Sequence, residues 1–155
     1  MQELIKIERV ENPEEKANIV SDVLLDLSDW FGLPDNTRNY IEASRKLPLW
    51  VEKNDDELIG FITLAESSPE TGDIHCMGIK KSYHRKGIGS QLYFVLEKQA
   101  KEKYKYLQVK TVDEGHYMEY DQTVAFYKAV GFSKLEVFPT LWDEWNPCLI
   151  MIKAL

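Results

Sequence analysis

The stretch that most restricts the fold is Tyr83-His84-Arg85-Lys86-Gly87-Ile88-Gly89-Ser90-Gln91-Leu92. An apolar run, Ile74 to Ile79, precedes it, and a helical pattern from Gln91 to Lys105 follows it. The segment reads as a strand, a basic glycine turn and a helix N-terminus. Glycine lets the backbone approach a ligand closely. The first N–H groups of a helix lack intrahelical acceptors and carry partial positive charge. Together they make an anion site of a kind that suits phosphate. Two familiar glycine fingerprints do not fit. A Walker loop needs Lys and then Ser or Thr after its last glycine, where this chain has Ser90-Gln91; a dinucleotide turn needs a third glycine where Leu92 stands.

A chain of 155 residues is expected to form one domain, 1–155, with a sizeable core. Apolar residues make up 44%, which is a globular composition. The formal charge is −7, from 19 basic and 26 acidic residues, with a pI near 5.0. That balance argues against nucleic acid and anionic membranes as partners and favours cationic substrates. Against it, Lys80, Lys81, His84, Arg85 and Lys86 form a basic cluster at the glycine turn, which points to a polyanionic ligand. The two cysteines, Cys76 and Cys148, lie in or beside apolar strand patterns and read as buried side chains, not a disulfide. No metal-ligand cluster is assigned. Met1 to Lys6 lacks a signal-type apolar core. No apolar run approaches the roughly 18 residues of a membrane span. A cytoplasmic setting is expected.

Along the chain, Glu3 to Val10 alternates as a strand. Asn12-Pro13-Glu14-Glu15 starts a helix, with Asn as cap and Pro at the first helical position. Its apolar stripe, Ile19, Val23, Leu24, Leu27, Trp30 and Phe31, predicts a helix running to about Gly32-Leu33-Pro34. Asp35-Asn36-Thr37 caps a shorter helix to about Leu47. Leu49–Lys53 and Leu58–Glu66 form a hairpin, and Ser67–Gly72 is a loop. Gly78 interrupts the Ile74–Ile79 strand, which suggests a bulge or a close ligand. After the glycine turn and its helix come a strand, Tyr106–Val112, a polar loop, Asp113–Tyr120, and a short helix, Thr123–Val130, closed by Gly131. Two strands, Phe132–Phe138 and Leu149–Ile152, flank a long loop, Pro139–Pro147. The order is β-α-α-β-β-β-α-β-α-β-β, a mixed α/β (α+β) class with one parallel crossover.

Three segments taken together carry a family resemblance: Asp73–Ile79, Tyr83–Gly89 and Thr123–Phe132. In this order and spacing they closely resemble the GNAT superfamily of N-acetyltransferases, and so does the element order over the whole chain. The resemblance implies a GNAT-like fold with a central mixed, mostly antiparallel sheet flanked by helices. It implies acetyl-CoA as cofactor and a primary amine as acceptor. In this family the glycine turn, [QR]-x-x-G-x-[GA], holds the pyrophosphate. Gly87 and Gly89 match its small positions, and His84 stands where Gln or Arg is usual. The implied donors run from Arg85 through Lys86, Gly87, Ile88 and Gly89 to Ser90. The preceding strand, at Met77, Gly78 and Ile79, is implied to bond the pantetheine arm. The last motif usually reads N-x-x-A-x-x-x-Y-x-x-x-G-F. Tyr127, Gly131 and Phe132 match it, while Tyr120 and Thr123 occupy its Asn and Ala positions. Tyr127 is implied to assist departure of the CoA thiolate.

The residues leave the base open between Glu66, at a strand end, and His75, which shares a strand face with Met77. His116 and Glu119 lie on a loop near the expected sulfur position. Trp30, Phe31 and Tyr40, with Trp142 and Trp145, are candidates to frame an acceptor pocket, and Asp143 and Glu144 suit a cation. The loop that holds the two later tryptophans fits a pocket, a lid or a homodimer contact equally. The expected acceptor is a small-molecule cationic amine. A non-catalytic CoA-binding module is the alternative. A toxin-type enzyme acting on aminoacyl-tRNA fits poorly with the charge of −7.

Overall fold

The computed structural model describes residues 5–31, 34–84 and 87–155. The elements are β1 (Ile5–Val10), α1 (Pro13–Asp26), α2 (Pro34–Ser44), β2 (Leu49–Asn54), β3 (Glu57–Ser68), β4 (Thr71–Ile79), α3 (Ile88–Ala100), β5 (Tyr106–Val112), α4 (Met118–Ala129), β6 (Ser133–Asp143) and β7 (Asn146–Ala154). A short 3-10 turn, Lys81–Tyr83, precedes α3. The seven strands hydrogen-bond in the order β1-β2-β3-β4-β5-β7-β6. The pairs β1–β2, β2–β3, β5–β7 and β6–β7 are antiparallel, and β4–β5 is parallel. This is the mixed α/β architecture expected from the element order.

The chain divides into two compact units, Met1–Ala65 with His75–Gln99, and Glu66–Ile74 with Ala100–Leu155. In the first, Val20, Val23, Leu24 and Leu27 of α1 and its end pack with Leu49, Val51, Phe61 and Cys76. Asn12 caps α1 as its sequence predicts: its Oδ1 accepts the Glu15 N–H at 2.9 Å. In the second, Leu107, Val109, Leu149 and Met151 are buried, with Val124 and Tyr127 of α4.

Several boundaries differ from the sequence reading: α2 ends at Ser44, α3 runs Ile88–Ala100 and β7 runs Asn146–Ala154, and four further differences follow. α1 ends at Asp26, although Trp30 and Phe31 continue its apolar spacing. Leu27 leaves helical geometry, and the Trp30 and Phe31 N–H groups both donate to its carbonyl. Asp22, Asp26 and Asp29 crowd this C-terminal end, where the helix dipole disfavours anions. The Ser67–Gly72 loop shrinks to a two-residue turn, because β3 runs to Ser68 and β4 starts at Thr71. α4 begins at Met118 and takes in residues read as loop; Glu119 and Asp121 suit its first turn, and Asp121 Oδ1 accepts the Gly115 N–H at 2.7 Å. The Pro139–Pro147 loop is mostly strand: β6 reaches Asp143 and β7 starts at Asn146.

Candidate cofactor and catalytic site

In the first unit, β4 alternates between buried and half-buried residues, so His75, Met77 and Ile79 share one face. Thr63 Oγ1 bonds both the N–H and the carbonyl of Cys76, at 3.1 and 3.2 Å. Strand backbone groups alternate direction. Gly78 therefore also addresses β3, while Met77 and Ile79 address the opposite edge. The ladder to β5 covers only Thr71–Ile74. Gly78 thus has a different reason from the one its sequence suggested. A Cβ there would sit 2.8 Å from Val23 Cγ1 and 3.0 Å from Leu27 Cδ1, so the glycine makes room for α1.

The turn after β4 is tied down from several sides. The Lys80 N–H donates to the Ile59 carbonyl at 2.8 Å. Lys80 Nζ pairs with Asp22 at 3.3 Å, Lys81 Nζ with Asp29 at 3.0 Å, and the Lys81 N–H donates to Asp26 at 2.7 Å. These lysines were expected to serve a polyanion; carboxylates at the end of α1 and just beyond it hold them instead. Asp22 and Asp26, four residues apart, share one helix face. The Tyr83 hydroxyl donates to Glu57 at 2.8 Å. His84 Nε2 bonds the Ile79 carbonyl at 2.5 Å, its ring meets the Trp30 ring edge-on at 5.6 Å, and its backbone N–H donates to the Lys81 carbonyl. The His84 side chain fastens the turn to its own strand. Arg85 and Lys86 lie outside the described residues.

Gly87 has φ +73°, a left-handed conformation that glycine adopts without strain, and α3 starts at the next residue. Ser90 Oγ donates to the Gly87 carbonyl at 2.9 Å and steadies the entry. Ile88, Gly89 and Ser90 form the first turn of α3, whose N–H groups have no acceptor within the helix.

Phe31, Tyr40 and His75 form an edge-to-face series in the same unit, with centroids 5.7 and 5.4 Å apart. Trp30, Phe31 and Tyr40 also pack against the core cluster. Of the expected acceptor residues, Tyr40 is thus beside a candidate base, and Trp30 is beside the turn.

In the second unit, Tyr120, Thr123 and Tyr127 lie three, four and seven residues apart, on one face of α4. Tyr127 is buried, with the rings of Phe126 and Phe132 edge-on at 5.2 and 5.5 Å. Burial pushes the Tyr120 phenol up, and the Glu119 charge adds to this. Thr123 Oγ1 donates to the Glu119 carbonyl at 3.2 Å. Gly131, at φ +109°, closes the helix, and Lys153 Nζ donates to the Val130 carbonyl at 2.6 Å. His116 is exposed.

Glu66 does not end its strand at an open site. It pairs with Lys103 at 3.1 Å and accepts the Tyr104 hydroxyl at 3.0 Å. These contacts, Lys103 first, hold its carboxyl below the usual range, which makes it a weak proton acceptor. Trp142 and Trp145 stand exposed on the β6–β7 hairpin instead of enclosing a pocket. Asp143 Oδ1 accepts the N–H groups of Trp145 and Asn146, each at 2.8 Å, so its carboxylate is taken up by the turn. Burial pushes the Cys76 thiol up, away from nucleophile chemistry. Among the described residues no group of three His, Cys, Asp or Glu side chains is placed to hold a metal. Among them, too, no helix is long and apolar enough to cross a membrane.

The profile of the "Acetyltransferase (GNAT) family" matches residues 6–132. Solved structures agree in fold. A putative GNAT-family acetyltransferase from Desulfovibrio desulfuricans superposes with TM-score 0.78 at 17% identity, over 97% of this chain and 98% of its own. A GNAT-family acetyltransferase from Elizabethkingia anophelis, with acetyl-CoA bound, gives TM-score 0.70 at 19% identity, over 99% and 100%. An aminoglycoside 6'-acetyltransferase type Ii gives 0.77 at 21%, over 96% of each chain. No curated protein matches the sequence. With its profile match spanning most of the chain, the protein belongs to the GNAT acetyltransferase family.

Proposed function

We propose that the protein transfers acetyl from acetyl-CoA to the primary amine of a small cationic molecule. The observation that carries this is the positive-φ Gly87 feeding directly into the first turn of α3. Backbone N–H groups at Ile88, Gly89 and Ser90 suit a pyrophosphate whatever the side chains. The backbone of Met77 and Ile79 suits an amide-bearing arm. That elsewhere in the fold family acetyl-CoA or coenzyme A is bound in solved structures supports the assignment.

Acetyl-CoA supplies an activated thioester. The residues must deliver a neutral amine and release a thiolate. An alkyl amine of pKa about 10.4 is about one part in a thousand neutral near pH 7.4, a cost of about 4 kcal/mol. With Glu66 held by Lys103 and Tyr104, His75 is the base that takes the ammonium proton, directly or through water. The amine nitrogen bonds the carbonyl carbon, the C–S bond breaks, and Tyr127 hydrogen-bonds or protonates the leaving sulfur. The net charge of −7 favours a cationic acceptor, and the aminoglycoside enzymes of like fold make amino sugars and polyamines the first compounds to try. Cys76 and Cys148, both buried free thiols, suit a cytoplasmic setting.

The test is thiol release from acetyl-CoA across a panel of polyamines, amino sugars, amino acids and peptides. Tyr127→Phe should lower kcat about 10- to 100-fold with little change in the acetyl-CoA KM. His75→Gln should remove the acidic limb of the pH–rate profile, and Glu66→Gln should leave it in place. Tight CoA binding with no release for any amine would replace this reading with a non-catalytic CoA-binding module.

A further inference from the structure

Thr63 of β3 is 1% exposed, and its hydroxyl directs both of its hydrogen bonds to one residue of the neighbouring strand. Oγ1 accepts the Cys76 N–H at 3.1 Å and donates to the Cys76 carbonyl at 3.2 Å. A hydroxyl has one proton, so this pair of bonds fixes its rotor. The two groups it holds belong to different peptide units. The N–H ends the His75–Cys76 unit, and the carbonyl begins the Cys76–Met77 unit. Each unit is planar and trans, so the His75 carbonyl and the Met77 N–H both point away from the Thr63 hydroxyl. One side chain thus sets the backbone plane on either side of Cys76. The first plane leaves the Cα of His75, and the second leads to the Cα of Met77. Beyond Met77 the strand is held again. A Cβ at Gly60 would collide with the Gly78 carbonyl oxygen, so the two backbones lie close there, and the Lys80 N–H donates to the Ile59 carbonyl at 2.8 Å.

We infer that, with His75 as the base and Met77 beside the cofactor arm as proposed above, Thr63 is a positioning residue for acetyl transfer. Through the backbone of Cys76 it aims His75 at the acceptor amine and Met77 at the arm. The Cys76 side chain packs into the apolar cluster with α1, so its backbone alone carries the effect. Misplacing a reacting group by about 1 Å can cost about 100-fold in rate, so a hydroxyl that fixes both neighbours of Cys76 acts on both substrates. Valine fills nearly the volume of threonine and loses both bonds, leaving the Cys76 N–H and carbonyl each one partner short. Serine keeps both bonds and loses one methyl group. A Thr63 that served stability alone would leave the site's constants unchanged in a folded variant.

The test sets Thr63→Val and Thr63→Ser against Val51→Ala, a buried change in the same cluster on β2, which does not adjoin β4. Calorimetry with CoA reads the arm, and the pH–rate profile with the most active amine reads the base. Thr63→Val should weaken CoA binding about 10-fold, lower kcat about 10- to 100-fold and displace the acidic limb of the profile. Thr63→Ser should keep both constants within about threefold of the wild type and the limb in place. Val51→Ala should lower the urea midpoint and change neither constant. If Thr63→Val does not fold, Thr63→Cys, a weaker hydrogen-bonding group of similar size, should weaken CoA binding where Thr63→Ser does not. Wild-type CoA affinity and pH profile in folded Thr63→Val, or in Thr63→Cys in its place, overturn the inference. So does a Thr63→Ser that loses as much as Thr63→Val, or a Val51→Ala that reproduces the same losses. A wild type that binds CoA and acetylates no amine overturns the amine reading and the His75 half with it. CoA affinity lost in Thr63→Val and kept in Thr63→Ser then still supports the Met77 half.

Discussion

β3 and β6 are nearly equal in length, at 12 and 11 residues, and both are rich in large apolar and β-branched side chains. They meet opposite fates. β3 buries six consecutive residues, Ile59–Leu64, so both of its faces are covered. β6 buries none. Composition sets how readily a segment extends, but position in the sheet sets what covers it. β3 lies between β2 and β4; among the described residues β6 has β7 on one side only. The interior strand supports the cofactor side of the first unit through Thr63 and Phe61, and the outer strand presents a surface.

The largest effect expected from this contrast is on stability. Phe61 is fully buried within the cluster formed with α1, and a Cβ at Gly78 would meet its Cε1 at 3.4 Å. Phe61→Ala should cost about 3–5 kcal/mol in urea unfolding. Phe138→Ala, at an exposed position of β6, should cost less than about 1 kcal/mol. Equal losses would erase the distinction between the two strands.

What was legible carries local signals. The Asn12-Pro13 cap, the helix entry after Gly87 and the Gly131 end of α4 each sit within a few residues, and among the described residues each takes the local form its sequence suggests. What escaped depends on distant partners. Glu66 looked like a free strand-end carboxylate because Tyr104 lies 38 residues on. Lys80 and Lys81 looked like ligand contacts because their acids lie far back in the chain, on α1 and just after it. The Pro139–Pro147 segment looked like a loop because Pro139 reads as a breaker; at a sheet edge proline is tolerated. Gly78 looked like a ligand approach because the α1 side chains that fill its space are invisible to spacing.

A second effect belongs to the covered region and depends on pH. Glu52 of β2 pairs in register with Gly60 of β3 and is fully buried. Among the described residues neither of its carboxyl oxygens has a hydrogen-bond partner. Burial pushes its carboxyl up from 4.5 to about 7. A raised carboxyl pKa means that the folded state favours the proton. The resulting stability is fully present below about pH 4.5 and is lost as pH rises through about 7. At 1.36 kcal/mol per unit, ionising the buried group costs on the order of 3 kcal/mol. Glu52→Gln should therefore gain on the wild type by about that amount between pH 4.5 and 8. Parallel pH–stability curves for the two chains would show that Glu52 is solvated, and β2–β3 less closed than its burial implies.

The smallest effect is confined to the tip of the exposed hairpin. Asp143 Oδ1 accepts from the Trp145 N–H, the Asn146 N–H and Asn146 Nδ2, at 2.8, 2.8 and 3.0 Å. The Asn146 side chain first, and then the two backbone donors, hold this carboxyl below its ordinary value. A lowered carboxyl pKa gives stability that is present above the unfolded value and is lost as pH falls through the folded one. The group is exposed, so the consequence is local. Asp143→Ala should speed hydrogen exchange at the Trp145 and Asn146 amides and leave global unfolding unchanged. In the wild type, acidification below the usual Asp range should loosen the same two amides. A global loss of stability on Asp143→Ala would mean that the hairpin tip is coupled to the β7 core, which its exposure at every position of β6 argues against.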